Sequence, residues 1–322
     1  MNVVVVVDSV DRLNPATDTS VGLLHAAQDQ GATAWLTTVT DLSIVDGRPR
    51  ARARRVGLAP STPTGGCYWS VAEQWLRTDA AEDIDLDDVD AVFMWAEPPL
   101  DDAYLTATFV LDLVREAPVV NDPRGLRACS EHLLPLHVPD LTPATTVTSN
   151  VSTLATFVHA NGKAVLKPVD GFSGHGVYLL DPNDPNLASL LETATNGGRR
   201  TVVAQRYLPE VEDGNKRIFL MDGAPVGAVY RFPACGDFRI GQPSAEAPLT
   251  PRDREICARL APILAAHRLR VAGIDVIGDY LIEVNLTSPG AMRKADGLLG
   301  WTLCADLLDR VLDDAPSQRR FA

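Results

Sequence analysis

The stretch GIDVIGDYLIEVNLTSPG, residues 273 to 290, sets two apolar runs around a Gly-Asp turn and interrupts them with Asp275, Glu283 and Asn285. An antiparallel hairpin answers this pattern, because side chains alternate between the two faces along a strand. Alternation puts Glu283 and Asn285 on one face of the second strand, with Ile282 and Val284 on the other. A three-residue connection through Gly278, Asp279 and Tyr280 sets Asp275 opposite Glu283, whereas a two-residue turn sets the two carboxylates on opposite faces. Three oxygen donors on a rigid hairpin suit a hard cation such as magnesium, which takes one or two carboxylates and completes its shell with phosphate and water. Taken alone, the same residues are better read as an amphipathic hairpin with its polar face in solvent, because acidic residues on a half-exposed strand are common.

LKPVDGFSGHG, residues 166 to 176, brings Lys167 to the end of a buried-looking strand just before Gly171, Gly174 and Gly176. The spacing G-x-x-G-x-G is not the dinucleotide fingerprint, and Val177 and Tyr178 stand where a P-loop requires lysine and a hydroxyl residue. Backbone N–H groups of such a loop can still close over phosphate oxygens beside an ammonium. AQRYLPEVEDGNKRIFLMDG then supplies an exposed polar hinge from Gln205 to Leu208, acidic residues, and Lys216 and Arg217 on a strand.

A chain of 322 residues exceeds the roughly 250 to 300 at which single cores stop growing. Its net charge of −13 argues against a surface for nucleic acid or anionic lipid and points to a small-molecule partner. Cys67, Cys129, Cys235, Cys257 and Cys304 are scattered and form no C-x-x-C pair, which fits reduced cytoplasmic thiols and indicates neither zinc nor a disulfide framework. MNVVVVVD reads as a buried first strand, too short for a signal peptide or a membrane span. With a helix over 20–30 and strands at AWLTTV and DAVFMWAEPP, residues 1–125 form an open α/β domain. Residues 126–207 form a small α+β unit, with Asp122 and Pro123 opening a helix just before it, NVSTLATFVHANG closed by Gly162, and strands KAVLKPV and TVVAQRYL. Residues 208–322 hold two strand pairs and a helix starting at Thr250 and Asp253, with Pro262 inside it. In RPRARARR, Arg50, Arg52 and Arg54 share the solvated face of an edge strand.

These stretches, with DTSVGLLHAAQDQG, EPPLDDAYLTATFVLD, VNDPRGLRACSEHLL and DLTPATTVTSN, resemble in their order the ATP-grasp ligases and, within them, the bacterial glutathione synthetases. The likeness runs over most of the chain. It implies an α/β ATP-grasp fold: an N-terminal open α/β domain (1–125), a small α+β lid domain (126–207), and a C-terminal α+β domain with an antiparallel sheet (208–322). It further implies ATP phosphates at Lys167 and the loop of Gly171, Ser173, Gly174 and Gly176, with His132 at a phosphate-contacting position. Adenine would lie at Gln205, Tyr207 and Leu208, and ribose at Asp213. Magnesium or manganese would lie at Asp275, Glu283 and Asn285, while Arg217, Arg231 and Arg239 would stabilise an acyl phosphate or anchor substrate. The implied reaction is attack of a carboxylate on the γ-phosphate, then of an amine on the resulting acyl phosphate, which demands positioning and charge neutralisation rather than a side-chain nucleophile. A homo-oligomer, dimer or tetramer, is implied as well.

Three departures bear on substrate. Trp95 and Ala96 precede Glu97, Pro98 and Pro99 where the family carries a basic pair, His132 replaces a lysine after C-x-E, and the glycine-rich lid is shortened to ACGDFRIGQPSAEAPLT. A changed lid changes what is shielded from water during reaction. The expectation is therefore a ligase repurposed for other amino-acid or peptide substrates, with authentic glutathione synthesis, or an ATP-binding protein without turnover, as the alternatives.

Overall fold

The computed structural model describes residues 1–171 and 174–319, with side chains to residue 313. The valine run forms the strand Asn2–Val7, paired in parallel with Thr33–Thr38 on one side and Ala91–Met94 on the other. All its valines are inaccessible or nearly so, and a strand covered on both faces has no reason to alternate. Helix Thr19–Asp29 makes the crossover, and its Val21, Leu23 and Leu24 pack on the odd-numbered valines.

The arginine strand Arg48–Leu58 is not at an edge. Leu42–Val45 and Thr33–Thr38 pair along one side of it and Leu76–Asp85 along the other. Arg52 and Arg54 are exposed as expected, but acidic residues of the overlooked strand answer the run, with Arg48 2.8 Å from Asp85 and Arg52 3.5 Å from Asp83. LRTDAAEDID carries too little apolar alternation to announce itself as a strand.

A second sheet runs in the order Thr145–Thr148, Val202–Arg206, Ala164–Pro168, Tyr178–Leu180. Helices Val151–Asn161 and Leu187–Ala194 cover it through Leu154, Val158 and Leu191. The first of these is capped by the Asn150 side chain at its start and ends at Gly162, whose φ of 76° excludes most side chains.

The third sheet is wholly antiparallel, in the order Ile240–Glu246, Ala224–Pro233, Asn215–Met221, Val271–Ile277, Tyr280–Asn285. The expected two strand pairs are joined by a fifth strand cut from the segment read as lid, so the loop proper shrinks to residues 234–239. Along Asn215–Met221 the even positions Ile218 and Leu220 face helix Pro251–Ala266, whereas Phe219 and Met221 join the core against the N-terminal sheet. Lys216 therefore leaves the site side: its ammonium pairs with Asp253, an inaccessible residue that also completes the Thr250 capping box. Arg217 points the other way. Buried Asn121 fastens the first and third sheets, donating to the carbonyls of Val271 and Leu286 at 2.7 Å each and accepting from the Val271 N–H at 2.9 Å. No helix among the described residues is long and apolar enough to cross a membrane.

Two stability predictions follow from this packing. Lys216→Met strands the buried Asp253 carboxylate and should cost about 3 to 5 kcal/mol, whereas Arg52→Ala, at an exposed pair, should change unfolding by less than about 1 kcal/mol; urea titration reads both. Asp296 accepts the N–H groups of Leu303 and Cys304, yet burial pushes its carboxyl up to about 6. The folded state therefore holds the proton more tightly than the unfolded chain, so the stabilisation is present below the ordinary carboxylate value of 3.8 and is lost as pH rises through about 6. Across that window the native protein should lose about 3 kcal/mol relative to Asp296→Asn; parallel stability profiles of the two would refute this.

Candidate active site

The second and third sheets enclose a cleft of about 630 Å³. Its wall is built from the hairpin outward. Asp275 does lie opposite Glu283, but by another route than the three-residue connection. Ile277 pairs with Tyr280, leaving Gly278 and Asp279 as a two-residue turn, and a bulge beyond Val276 absorbs Ile282 and returns Glu283 to register. The bulged Ile282 carbonyl accepts from the Lys167 ammonium at 3.3 Å, so the irregularity ties the hairpin to the strand that carries the glycine loop.

Strand register then sets Arg217 opposite Asp275. Its guanidinium donates to both carboxylate oxygens, at 2.6 and 3.0 Å, and Arg231 approaches one of them at 2.6 Å while also bonding Asn215. Burial raises the Asp275 carboxyl, but the Arg217 and Arg231 charges outweigh it and hold it below the ordinary value. Burial likewise opposes ionisation of Glu283, and His132, Lys167 and Arg217 outweigh it, leaving that carboxyl far below the usual range. The Lys167 ammonium is pushed down by burial and partly restored by Glu283 and Asp275.

His132 is buried with its Nδ1 3.2 Å from the Val169 carbonyl, so Nδ1 carries the proton there, and its Nε2 is 3.7 Å from Glu283. The neighbouring Glu131, named in sequence only as part of C-x-E, accepts from the Leu286 and Thr287 N–H groups at 2.6 and 2.9 Å and from the Thr287 hydroxyl at 3.0 Å. It anchors the hairpin's exit. Arg206, stacked 5.3 Å from the Tyr280 ring centre, and half-buried Lys294 also line the cleft; no spacing in the sequence marks either one.

Of the residues expected on other grounds, Gly171, Gly174, Gln205, Tyr207, Leu208 and Arg239 reach the cleft wall. Gly174 has φ +73°, and a Cβ there would stand 3.4 Å from Arg239 Cδ, so the glycine loop and the 234–239 turn meet at the mouth. Arg239 is exposed and paired with Asp237 at 2.7 Å. Gln205 is buried rather than part of an exposed hinge, because its strand is paired on both sides and its amide donates to Thr145 Oγ1 at 3.1 Å. Asp213 is exposed at the end of the turn Pro209–Asp213 and, like Gly176, is not on the wall. Ser173 lies outside the described residues.

The donor set fits a hard divalent cation. Glu283 is half-buried, with its carboxyl held far below the usual range by His132, Lys167 and Arg217, and Asn285 spends its amide N–H on the Gly273 carbonyl, which leaves the amide oxygen as its acceptor. Among the described residues no three His, Cys, Asp or Glu side chains converge on one point. A cation held here thus draws its remaining ligands from phosphate and water, as magnesium does.

The family model for the prokaryotic glutathione synthetase ATP-grasp domain matches residues 131–299, and that for the N-terminal domain of the same enzymes matches residues 1–127. The glutathione synthetase of Synechococcus elongatus is 42% identical over 306 residues, 93% of this chain and 94% of that protein. That of Pseudomonas syringae pv. tomato is 34% identical over 95% of each. Among solved structures, the macrocyclase MdnC of Microcystis aeruginosa superimposes with a TM-score of 0.63 at 15% identity, over 97% of this chain and all of that one. D-cycloserine synthetase DcsG does so at 0.61 and 16%, over 95% of this chain and 99% of that one; both likenesses speak to the ATP-grasp fold. The chain belongs to the prokaryotic glutathione synthetase family and is an ATP-grasp ligase that forms C–N bonds.

Proposed function

We propose that the protein joins γ-glutamylcysteine to glycine at the expense of ATP, releasing glutathione, ADP and phosphate. The observation that carries this reading is the 42% identity to a glutathione synthetase along 93% of the chain. It weighs against the altered substrates expected from Trp95, His132 and the short lid, and the cation cluster of buried Lys167 and Arg217 with half-buried Arg231 speaks for a working phosphoryl site rather than a bare nucleotide holder.

In this reading the cysteine carboxylate attacks the γ-phosphorus of ATP, the bond to the bridging oxygen breaks, and ADP leaves. The glycine amine then attacks the acyl carbon, phosphate departs with the C–O bond electrons, and the amine gives up a proton. Lys167, His132 and the loop at Gly171 and Gly174 hold phosphates. Gln205, Tyr207 and Leu208 line the base pocket; Asp213, off the wall, is left out of the set. Glu283, Asn285 and Asp275 would hold magnesium, which would supply charge neutralisation on the phosphates. Arg217 and Arg231, fixed by Asp275 before substrate arrives, present positive charge where phosphoryl oxygens gather, in a site where little water reorganises. Arg239 and the glycine loop close the mouth and keep water from the acyl phosphate.

Two measurements test the reading. Purified protein with ATP and magnesium should release ADP with γ-glutamylcysteine plus glycine and yield glutathione; turnover only with other acid and amine pairs would restore the altered-substrate reading. Glu283→Gln keeps the side-chain shape but removes the charge, and should lower ADP formation at least about a hundredfold, the size expected when a group stabilising the transition state is lost. An unchanged rate, with the fold intact by circular dichroism, would remove Glu283 from the metal set.

A further inference from the structure

Helix Met292–Leu299 starts directly behind the cleft wall, and its second residue, Arg293, is only 2% exposed. The guanidinium draws on uncharged acceptors among the N-terminal residues: Nε donates to the Pro15 carbonyl at 3.0 Å, one terminal nitrogen to Ser61 Oγ at 3.1 Å, and the other to His25 Nδ1 at 3.3 Å. The Trp69 ring centre lies 4.7 Å from the guanidinium, and its Nε1 donates to the Arg293 carbonyl at 2.7 Å. A Cβ on Gly297, one turn further along, would stand 2.8 Å from that same nitrogen. Glycine weakens a helix interior, and at this position it makes room for the indole. Together these contacts clasp the helix to the N-terminal part of the chain.

The clasp holds a turn of the active site. Three residues before Arg293, the Gly290 carbonyl accepts from Arg217 at 3.3 Å, and Ser288, Gly290 and Ala291 line the cleft. Between the two guanidiniums, Ala291 has φ 78°, a left-handed backbone on a residue that carries a side chain, and the helix it opens receives no side-chain cap. Such a conformation persists only where its surroundings over-determine it. Arg217 does so from the cleft and Arg293 from behind. Arg293 itself is not on the cleft wall.

One member of the clasp can change its charge. Because arginine only donates, His25 Nδ1 must accept from it, so Nε2 carries the proton and donates to the Ala59 carbonyl at 3.0 Å. The Val21 carbonyl stands 3.2 Å from the same Nδ1. A second proton on the ring therefore finds an acceptor at Val21, removes the acceptor that Arg293 uses, and sets two cations side by side. Burial lowers the imidazole below its ordinary 6.5; the Ala59 and Val21 carbonyls and Asp29 oppose this, and Arg293 adds to it. Cys304, Asp296 and Asp18 are the groups that favour the Arg293 charge. With the folded value depressed, the stabilisation from the neutral ring is complete above 6.5 and is lost as pH falls below it.

We propose that Arg293 is a positioning residue for the 288–291 wall and that His25, on gaining a proton, releases it. Resting on the glutathione reading, the inference makes binding of the acid substrate fall in acid while the base pocket at Gln205, Tyr207 and Leu208 is left alone.

The test follows glutathione formation by the full chain at saturating ATP, magnesium and glycine, and reads the KM for γ-glutamylcysteine from about pH 8 to about pH 5, the range in which imidazoles titrate. In the native protein that KM should rise about tenfold as pH falls, the effect of losing a hydrogen bond to a charged group, while the KM for ATP stays level. His25→Asn sets an amide oxygen where Nδ1 accepts and cannot titrate, so its profile should be flat. Asp8, Glu97 and Asp296 are common to both proteins, and the ratio of the two profiles therefore isolates the imidazole. Trp69→Phe keeps the stacked ring but loses the N–H, and should raise the KM for γ-glutamylcysteine severalfold at every pH with that for ATP unchanged and the fold intact by circular dichroism. A flat native profile, a variant profile that rises like the native one, or a KM for ATP that climbs in step overturns the inference and leaves glutathione synthesis standing. Absence of glutathione even with the ring neutral overturns both.

Discussion

A guanidinium and a carboxylate, Arg217 and Asp275, stand directly opposite each other on the inner face of an antiparallel sheet, and the positive side of the cleft is built around that pair. Arg217 and Asp275 are both nearly inaccessible, and an ion stripped of water with no partner costs several kcal/mol. Strand Asn215–Met221 is thus held against Val271–Ile277 by charge as well as by apolar contacts: a one-residue slip would turn Arg217 into the apolar face toward helix Pro251–Ala266 and leave Asp275 alone. Arg231, one strand further out, reaches the same carboxylate. Two positive groups are in this way parked on one negative group, and the surplus faces the cleft.

The opposite wall is less constrained by charge. The glycine loop follows a strand whose lysine is bound to the hairpin through one carbonyl, and at Gly174, which lacks a side chain, it approaches Arg239 of the 234–239 turn. Conversion of part of the expected lid into the edge strand Ile240–Glu246 leaves residues 234–239 as the connecting turn.

The hairpin, the first strand and the glycine loop were all readable because each rests on a local rule: alternation, β-branching without alternation, or glycine where the backbone must turn. What escaped had no local signature. The bulge at Ile282 delivers the expected partner for Asp275 while contradicting the expected turn, since register is decided by hydrogen bonds to a neighbouring strand and to Lys167 as well as by the turn itself. The acidic strand Leu76–Asp85 was invisible because its partner, the arginine strand, supplies the reason for its composition. Glu131 and Lys294 owe their places to long-range packing, Glu131 by bonding residues more than 150 positions away. Gln205 read as an exposed hinge because its neighbours are polar, whereas its burial comes from strands paired on either side.

A net charge of −13 and a site for polyanions are reconciled by where the charges sit. Exposed acids such as Asp83 act through water and salt, which screen them within about 8 Å at physiological ionic strength. Lys167 and Arg217 are buried in the cleft wall and Arg231 is half-buried beside them, where the effective dielectric is lower and each charge acts more strongly on a nearby phosphate. Long-range repulsion from the acidic surface slows an approaching anion, but affinity is decided at contact, by the desolvated cations. Overall charge therefore argues only against extended polyanions, whose binding sums over a whole face, and says nothing about a small one that enters a pocket.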